Sequence, residues 1–377
     1  MSQSNCDFLI VGAGPVGSVS ARILAEAGFQ CTVLDRRNHI AGNCYDETDE
    51  HGVLIHKYGP HYFRTNNDEL IDFLSRFTDW VPGTYIVKSK VGDNLYPFPI
   101  NIDTLESYFD VKLDEKSAED FLKKLQVDPG HEARNSEEFV LSRVGKELYE
   151  KFYLGYTLKQ WDKHPKDLAA SVCGRIPVRF NRYDRYVDHK FQMLPKHGFT
   201  RLFQNIITHP KIELKLGVDF IQSREEFKPK HATIYTGAVD EYFDCKLGTL
   251  PWRSLEFEFK NFKEEYVQPC VQINYAAYDV PHTRTVEIKH ATGQKLPSTT
   301  ISYEYPKAKG DPYYPIPSPE SAQLYEKYKE LADKETQAAK VHFIGRLAEY
   351  TYINTDQAIE KGFDIAQKLL DEATENG

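Results

Sequence analysis

The chain has 377 residues, 41% hydrophobic and 27% charged, enough for two or three globular domains around a large core. Acidic residues outnumber Lys plus Arg by 56 to 47, a formal net charge of −9, and no Lys/Arg-rich block stands out, which argues against nucleic-acid binding through a basic face. The start, Met1 to Cys6, is polar with neither a basic nor an apolar leader region, and no later stretch approaches about 18 apolar residues, so we expect a cytoplasmic protein without membrane insertion.

The first unit runs from Asp7 to Asp35: the apolar run Phe8-Leu9-Ile10-Val11, the turn Gly12-Ala13-Gly14-Pro15-Val16-Gly17, a helical segment to Gly28, and Thr32-Val33-Leu34 ending in Asp35. This is a βαβ unit for a dinucleotide. Gly12 serves the tight turn, Gly14 lets backbone approach a pyrophosphate at the helix N-terminus, Gly17 allows close helix-to-strand packing, and Asp35 stands where a carboxylate accepts from a ribose hydroxyl. Arg36-Arg37 and a second small-residue turn, Ala41-Gly42-Asn43, extend the pattern past the acid, which suits a flavin dinucleotide better than NAD; a plain surface turn is the alternative.

From Thr104 to about Gly155 the pattern is helical, with Ser117-x-x-Asp120 and Asn135-x-x-Glu138 resembling capping boxes and Val140, Val144, Leu148 and Phe152 recurring at i+4. From Leu255 the period becomes two, through Leu255, Phe257 and Phe259, then Val271, Ile273 and Tyr275, then Ile301, Tyr303 and Tyr305, which predicts half-buried antiparallel strands. Thr233–Val239, with a turn at Gly237, and Val341–Arg346 read as further strands, and a helix from about Asp356 closes the chain. The expected class is α/β: a discontinuous Rossmann-like FAD-binding domain (1–84, 193–243 and 315–377), an inserted helical domain with a mobile lid loop (103–170), and an antiparallel sheet domain (85–102, 171–192 and 244–314).

The six cysteines form no Cys-x-x-Cys unit and the thirteen histidines no ligand cluster, so neither a structural metal nor a redox dithiol has support. The 24 tyrosines are unusual, since each joins a stacking face to a hydroxyl, although a Tyr-rich sheet core would look the same. Aromatic and cationic residues concentrate in Gly155-Tyr156-Thr157-Leu158-Lys159-Gln160-Trp161, Arg175-Ile176-Pro177-Val178-Arg179 with Arg185-Tyr186, Thr283-Arg284, Asp311 to Pro315, and Gly345-Arg346 through Tyr350 and Tyr352. Arginines beside tyrosines suit a diphosphate, because the guanidinium offers forked, permanently charged donors.

Together with Gly59-Pro60-His61-Tyr62-Phe63-Arg64-Thr65-Asn66, Tyr96-Pro97-Phe98-Pro99-Ile100-Asn101, and Gln192 with Leu194-Pro195, these motifs make essentially the whole chain resemble the UDP-galactopyranose mutase family. The resemblance implies an isomerase that interconverts UDP-galactopyranose and UDP-galactofuranose on reduced FAD, through a covalent flavin–sugar iminium and without net redox, in polysaccharide biosynthesis. It implies that Arg175 and Arg284 grip the diphosphate with Tyr186, Tyr314 and Tyr352, that Asn101, Tyr156 and Thr157 line the uridine end, that Trp161 rides on the lid, and that His61, Arg64 and Arg346 sit near the flavin. Asn354 and Asp356 are expected at the sugar and cofactor. NAD(P)H is expected as an external reductant, since no second glycine-rich signature exists, and the partners are a UDP-sugar and further copies of the chain.

The chain departs from the family pattern at Asp162, Gly174, Thr351, Thr355, Arg64 and Asn354, which stand where Gly, Ala, Lys, Met, His and Asp are usual. Arg64 and Thr355 fall near the flavin or sugar end, so a mutase for UDP-N-acetylgalactosamine or a TDP-deoxyhexose is an alternative. An amine-oxidase-like flavin oxidoreductase and a non-catalytic sugar-nucleotide-binding flavoprotein are the others.

Overall fold

A computed structural model describes residues 6–375; the first five and last two positions of the expected cofactor domain lie outside the described residues. Within it, the predicted βαβ unit forms from strands Phe8–Val11 and Cys31–Asp35 and helix Pro15–Glu26. The two strands are nearly continuous apolar runs because both faces of their sheet are covered. That sheet has five parallel strands, in the order Ile212–Leu216, Cys31–Asp35, Phe8–Val11, Ala232–Tyr235, Val341–Phe343. One core layer packs under helix Pro15–Glu26 and the closing helix Thr355–Glu375, which lie against each other, and a second gathers Leu9, Leu34, Tyr235, Tyr242 and Val341 on the opposite face. The strands come from three separated parts of the chain, as a discontinuous nucleotide fold requires.

The second sheet has seven strands: Tyr314–Pro315, Trp252–Phe262, Thr299–Lys307, Arg284–Val286, Gln272–Tyr275, Val87–Val91, Asn94–Phe98. Its pairings are antiparallel except one, Gln272–Tyr275 beside Val87–Val91, which run parallel because the intervening chain returns through other elements.

The helical insertion holds Ile102–Phe109, Glu115–Leu125, Ser136–Leu148, a π-helical stretch Tyr149–Leu154, and Gly155–Trp161. Val140, Val144, Leu148 and Phe152 are all buried, as their spacing predicts. Asn135 is an N-cap, its side chain accepting from Glu138 N–H. The other expected box is shifted by three residues: Asp114 is the cap and Ser117 its N3 partner, because the carboxylate accepts from the Ser117 N–H at 2.8 Å while the serine hydroxyl reaches it in turn. No helix among the described residues is long and apolar enough to cross a membrane.

Candidate active site

Two cavities share a wall. The first lies at the carboxyl ends of the parallel strands, where crevices of open α/β sheets take ligands. It is lined by Gly12, Gly14, Asp35, Arg36, Gly42, Asn43, Gly237 and Arg346. The glycines leave backbone bare: a Cβ at Gly12 would meet Thr236 Oγ1 at 2.0 Å, and Gly42 and Gly14 face each other so closely that a Cβ on Gly42 would lie 3.1 Å from the other's Cα. A Cβ at Gly17 would overlap the Gly12 carbonyl at 1.9 Å, so this residue serves the close helix-to-strand packing, and although it is expected among the cofactor-binding residues it does not line the cavity.

Helix Pro15–Glu26 begins at Gly14 with no side-chain cap and no acid in its first turn, leaving its N-terminal N–H groups open to an anion. Asp35 accepts from the N–H groups of Ala13 and Arg37, both at 2.9 Å, which fixes its carboxylate beside the turn. Arg36 pairs with Glu241 at 3.0 Å across the far end, and Arg37 donates to Asn43 Oδ1 at 2.9 Å. Bare backbone, an uncapped helix start and a carboxylate at the second strand fit the pyrophosphate and ribose of a dinucleotide.

The second cavity lies between the helical insertion and the seven-stranded sheet. Its walls carry Arg64, Tyr156, Thr157, Trp161, Arg175, Tyr186, Arg284, Tyr314 and Tyr352, and they contain Arg346, Asn43, His61, Asn354 and Thr355 in common with the first. Four guanidinium groups face it, and among the described residues no Asp or Glu lines it. In a chain of net charge −9 this is a local concentration of positive charge, which selects an anion.

The two expected diphosphate arginines meet through stacked tyrosines. Arg175 lies 4.9 Å from the Tyr352 ring centroid, Tyr352 stacks on Tyr314 at 5.9 Å, and Arg284 Nη2 donates to the Tyr314 hydroxyl at 3.3 Å. Arg346 also sits 4.9 Å from the Tyr352 ring, and its guanidinium donates to the carbonyls of Tyr313 and Ile353. Burial pushes the Tyr352 phenol up, but Arg175, Arg346, Arg64 and Arg284 together outweigh it and hold the group below the ordinary phenol range. Trp161 meets Tyr314 edge to face at 6.1 Å.

Arg284 is aimed by Glu304, fully buried, whose Oε2 accepts from Nε at 2.6 Å. Burial opposes the guanidinium charge, and the facing carboxylate overrides it, so Arg284 stays charged. His61 donates from Nδ1 to the Gly59 carbonyl at 3.0 Å, and its own N–H bonds His56 Nδ1. Burial, followed by His56 and Arg346, pushes its imidazole down to about 3. The ring is therefore neutral with Nε2 as an acceptor. Asn354 stands at the start of the closing helix, its amide donating to Gln357 Oε1.

Besides Gly17, two expected site residues are not brought to either cavity. Asn101 is fully buried as the N-cap of helix Ile102–Phe109, in a capping box with Thr104, so its side chain is spent inside the fold. Asp356 is buried in the first turn of the closing helix, where desolvation raises its carboxyl pKa. Trp161 lies at the end of a helix, 7% exposed, rather than on a loop. Irregular backbone instead follows the short helix Ser171–Gly174, carrying Arg175 and Tyr186. Asp162, where the family has Gly, adopts φ +54° at the helix C-cap, which accounts for the usual glycine and shows that this departure concerns backbone geometry. Sequence reasoning missed Gln272 and Asn274, which form the polar floor, and Glu304, which lies behind Arg284; Tyr85 donates to Gln272 Oε1 at 2.7 Å and Gln272 to Asn274 Oδ1 at 2.7 Å.

With that geometry in view, comparison with known proteins decides the family. A model of UDP-galactopyranose mutase matches residues 151–352, more than half of the chain. The chain belongs to the UDP-galactopyranose mutase family. Like other members of that family it is an isomerase. An NAD(P)-binding Rossmann-like domain model matches residues 10–77. The chain is 36% identical over 374 residues to dTDP-fucopyranose mutase of Escherichia coli, covering 96% of this chain and 98% of the relative. It is also 36% identical over 374 residues to a Klebsiella pneumoniae protein described as "Probable UDP-galactopyranose mutase", covering 98% and 96%. Among solved structures, a reduced UDP-galactopyranose mutase superposes with a TM-score of 0.78 at 16% identity, covering 98% of this family member and 96% of that chain, which shows the shared fold.

Proposed function

We propose that this family member interconverts the pyranose and furanose forms of a nucleoside-diphosphate hexose, with UDP-galactose as the substrate. The observation that carries the reading is the carboxylate-free cavity of four arginines and stacked tyrosines opening onto a dinucleotide cleft through His61, Arg346 and Asn354.

In this reading Gly12, Gly14, Asp35, Arg36, Gly42, Asn43, Gly237 and Arg346 hold FAD, packed against the helix turn that Gly17 permits. When bound and reduced, the flavin supplies a nucleophile for the anomeric carbon and is regenerated, so no net redox occurs. Arg175 and Arg284, with Tyr186, Tyr314 and Tyr352, hold the diphosphate and stabilise the charge it gains as it departs, and they keep it for the return step. Tyr156 and Thr157 form the nucleoside end and Trp161 the wall beside Tyr314. His61, Arg64 and Asn354 face the sugar, where neutral His61 accepts a hydroxyl hydrogen bond through Nε2. The irregular segment with Arg175 closes over substrate and excludes water. NAD(P)H serves as external reductant, and the chain works as a homo-oligomer.

A second reading, a dTDP-deoxyhexose as substrate, is supported by the equal 36% identity to dTDP-fucopyranose mutase, together with Arg64 and Thr355 at the cavity wall. An amine oxidase has no use for four guanidinium groups. The test is a panel of UDP-galactofuranose, UDP-N-acetylgalactofuranosamine and dTDP-fucofuranose with and without dithionite. We expect conversion of UDP-galactofuranose only by reduced protein, with no stoichiometric loss of reductant. Absence of turnover across the panel under reducing conditions would end the proposal, and preference for the dTDP-sugar would replace its substrate.

A further inference from the structure

Lys159 lies outside both cavities, on the helix Gly155–Trp161 that presents Tyr156, Thr157 and Trp161. Its ammonium uses all three donors on backbone: the carbonyls of Tyr275, Val280 and His282, at 2.8, 2.9 and 2.9 Å. Those carbonyls belong to the turn joining strands Gln272–Tyr275 and Arg284–Val286, closed at its base by Tyr275 N–H on the Thr283 carbonyl. The turn wraps around one cation, and Arg284 is the residue that leaves it.

The same helix is held from a second side. Arg253, 5% exposed, donates from Nε to the Gln160 carbonyl at 2.9 Å and from Nη2 to the Lys159 carbonyl at 3.2 Å, and it pairs in register with Tyr314. The end of the helix is thereby tied to the strands that carry both Arg284 and Tyr314.

We propose that Lys159 is a positioning residue for nucleotide binding: its ammonium fixes Arg284 in register with the Tyr156–Trp161 wall, so that the diphosphate meets a preassembled site. This rests on the function proposed above. A neutral amine has two N–H donors and no charge, so deprotonation strands one carbonyl and weakens the bonds to the other two. Burial pushes the Lys159 ammonium down to about 8, with Asp279 opposing it. The other groups facing it titrate elsewhere. Burial, with Lys159 and Lys260, pushes His282 down to about 4; burial raises Tyr303, and burial with Glu258 takes Tyr305 up to about 12. Burial lowers Arg253 from its ordinary value, and on the same strand Lys260 and Tyr305 hold Glu258 below the carboxylate range.

The experiment measures the Kd of UDP for the flavin-loaded protein between pH 7 and pH 9. Wild-type affinity should fall about tenfold over that range, as one ammonium near pH 8 deprotonates. Lys159→Met should bind at least about tenfold more weakly at pH 7, with flavin content intact and no alkaline limb. Asp279→Asn, at an exposed position, should move the wild-type limb to lower pH; because it leaves the buried contacts in place, it decides the matter even if Lys159→Met fails to fold. Wild-type affinity in Lys159→Met, an alkaline limb retained in it, or an unmoved limb in Asp279→Asn would overturn the proposal. Failure of the wild type to bind UDP at any pH would instead overturn the function on which it rests.

Discussion

The dinucleotide cavity presents backbone to its ligand: Gly12, Gly14, Gly42 and an uncapped helix start, all of these features between Gly12 and Gly42. The neighbouring cavity presents side chains, drawn from positions as far apart as Arg64, Tyr156, Arg284 and Tyr352. In the proposed function the first would recognise shape and phosphate common to many nucleotides, and the second one particular anion. Damage to the first should therefore read out as cofactor loss, and damage to the second as lost turnover with cofactor retained.

The largest expected break of that contrast is Arg284→Ala. Turnover should fall on the order of 100-fold to 1000-fold with flavin still bound. The protein should also lose about 3–5 kcal/mol of stability, because Glu304 would be buried and unpaired. Adding Glu304→Gln should recover the melting temperature and leave turnover low; recovery of both would remove Arg284 from the reaction. Gly12→Ala tests the other side: with φ at +110° and Thr236 2.0 Å from the new carbon, it should cost about 1–3 kcal/mol and yield protein depleted of flavin. Full flavin content in that variant would contradict the cradle.

Acid sharpens the comparison at the shared wall. His61 is held neutral in the fold, near 3 against about 6.5 unfolded, so the unfolded chain binds the extra proton. Stability is complete above about pH 6.5 and is lost as pH falls toward 3. His61→Gln should reduce the loss between pH 7 and pH 4.5 by on the order of 2 kcal/mol, read by urea unfolding at each pH. An unchanged acid slope would show that His61 is not held neutral. The smallest effect belongs to Arg36→Gln. Its pair with Glu241 is solvent-exposed, so stability should change by less than about 1 kcal/mol and flavin affinity only a few-fold, by equilibrium dialysis.

The same contrast governs what the chain discloses before it folds. The unit from Asp7 to Asp35 is legible because its glycine spacing and its acid fall within one continuous βαβ segment, although the neighbours that press on Gly12 and Gly14, Thr236 and Gly42, lie beyond it. Arg175 and Arg284, 109 positions apart, become one site only through Tyr314 and Tyr352, and residue types alone could name them but not join them. Asn101 lies in a motif that suggests ligand contact, and only the structure shows its side chain used as the N-cap of helix Ile102–Phe109. The resemblance puts Trp161 on a lid, whereas it ends a helix that runs unbroken from a π-helical stretch with no simple period. Glu304 gave no signal, since an acid in an alternating strand reads as solvent-facing until the partner strand sets Arg284 opposite it.

The central parallel sheet takes its strands from residues 8–35, 212–235 and 341–343, and the helix that finishes the crevice starts at Thr355. The glycine turn leaves the ribosome well ahead of the rest of the crevice, and the pocket it belongs to is complete only some 340 residues later. Vitamin-derived coenzyme uptake is thereby a late event in the life of this polypeptide, and a prematurely terminated product that lacks the final helix would carry the fingerprint without retaining the colour.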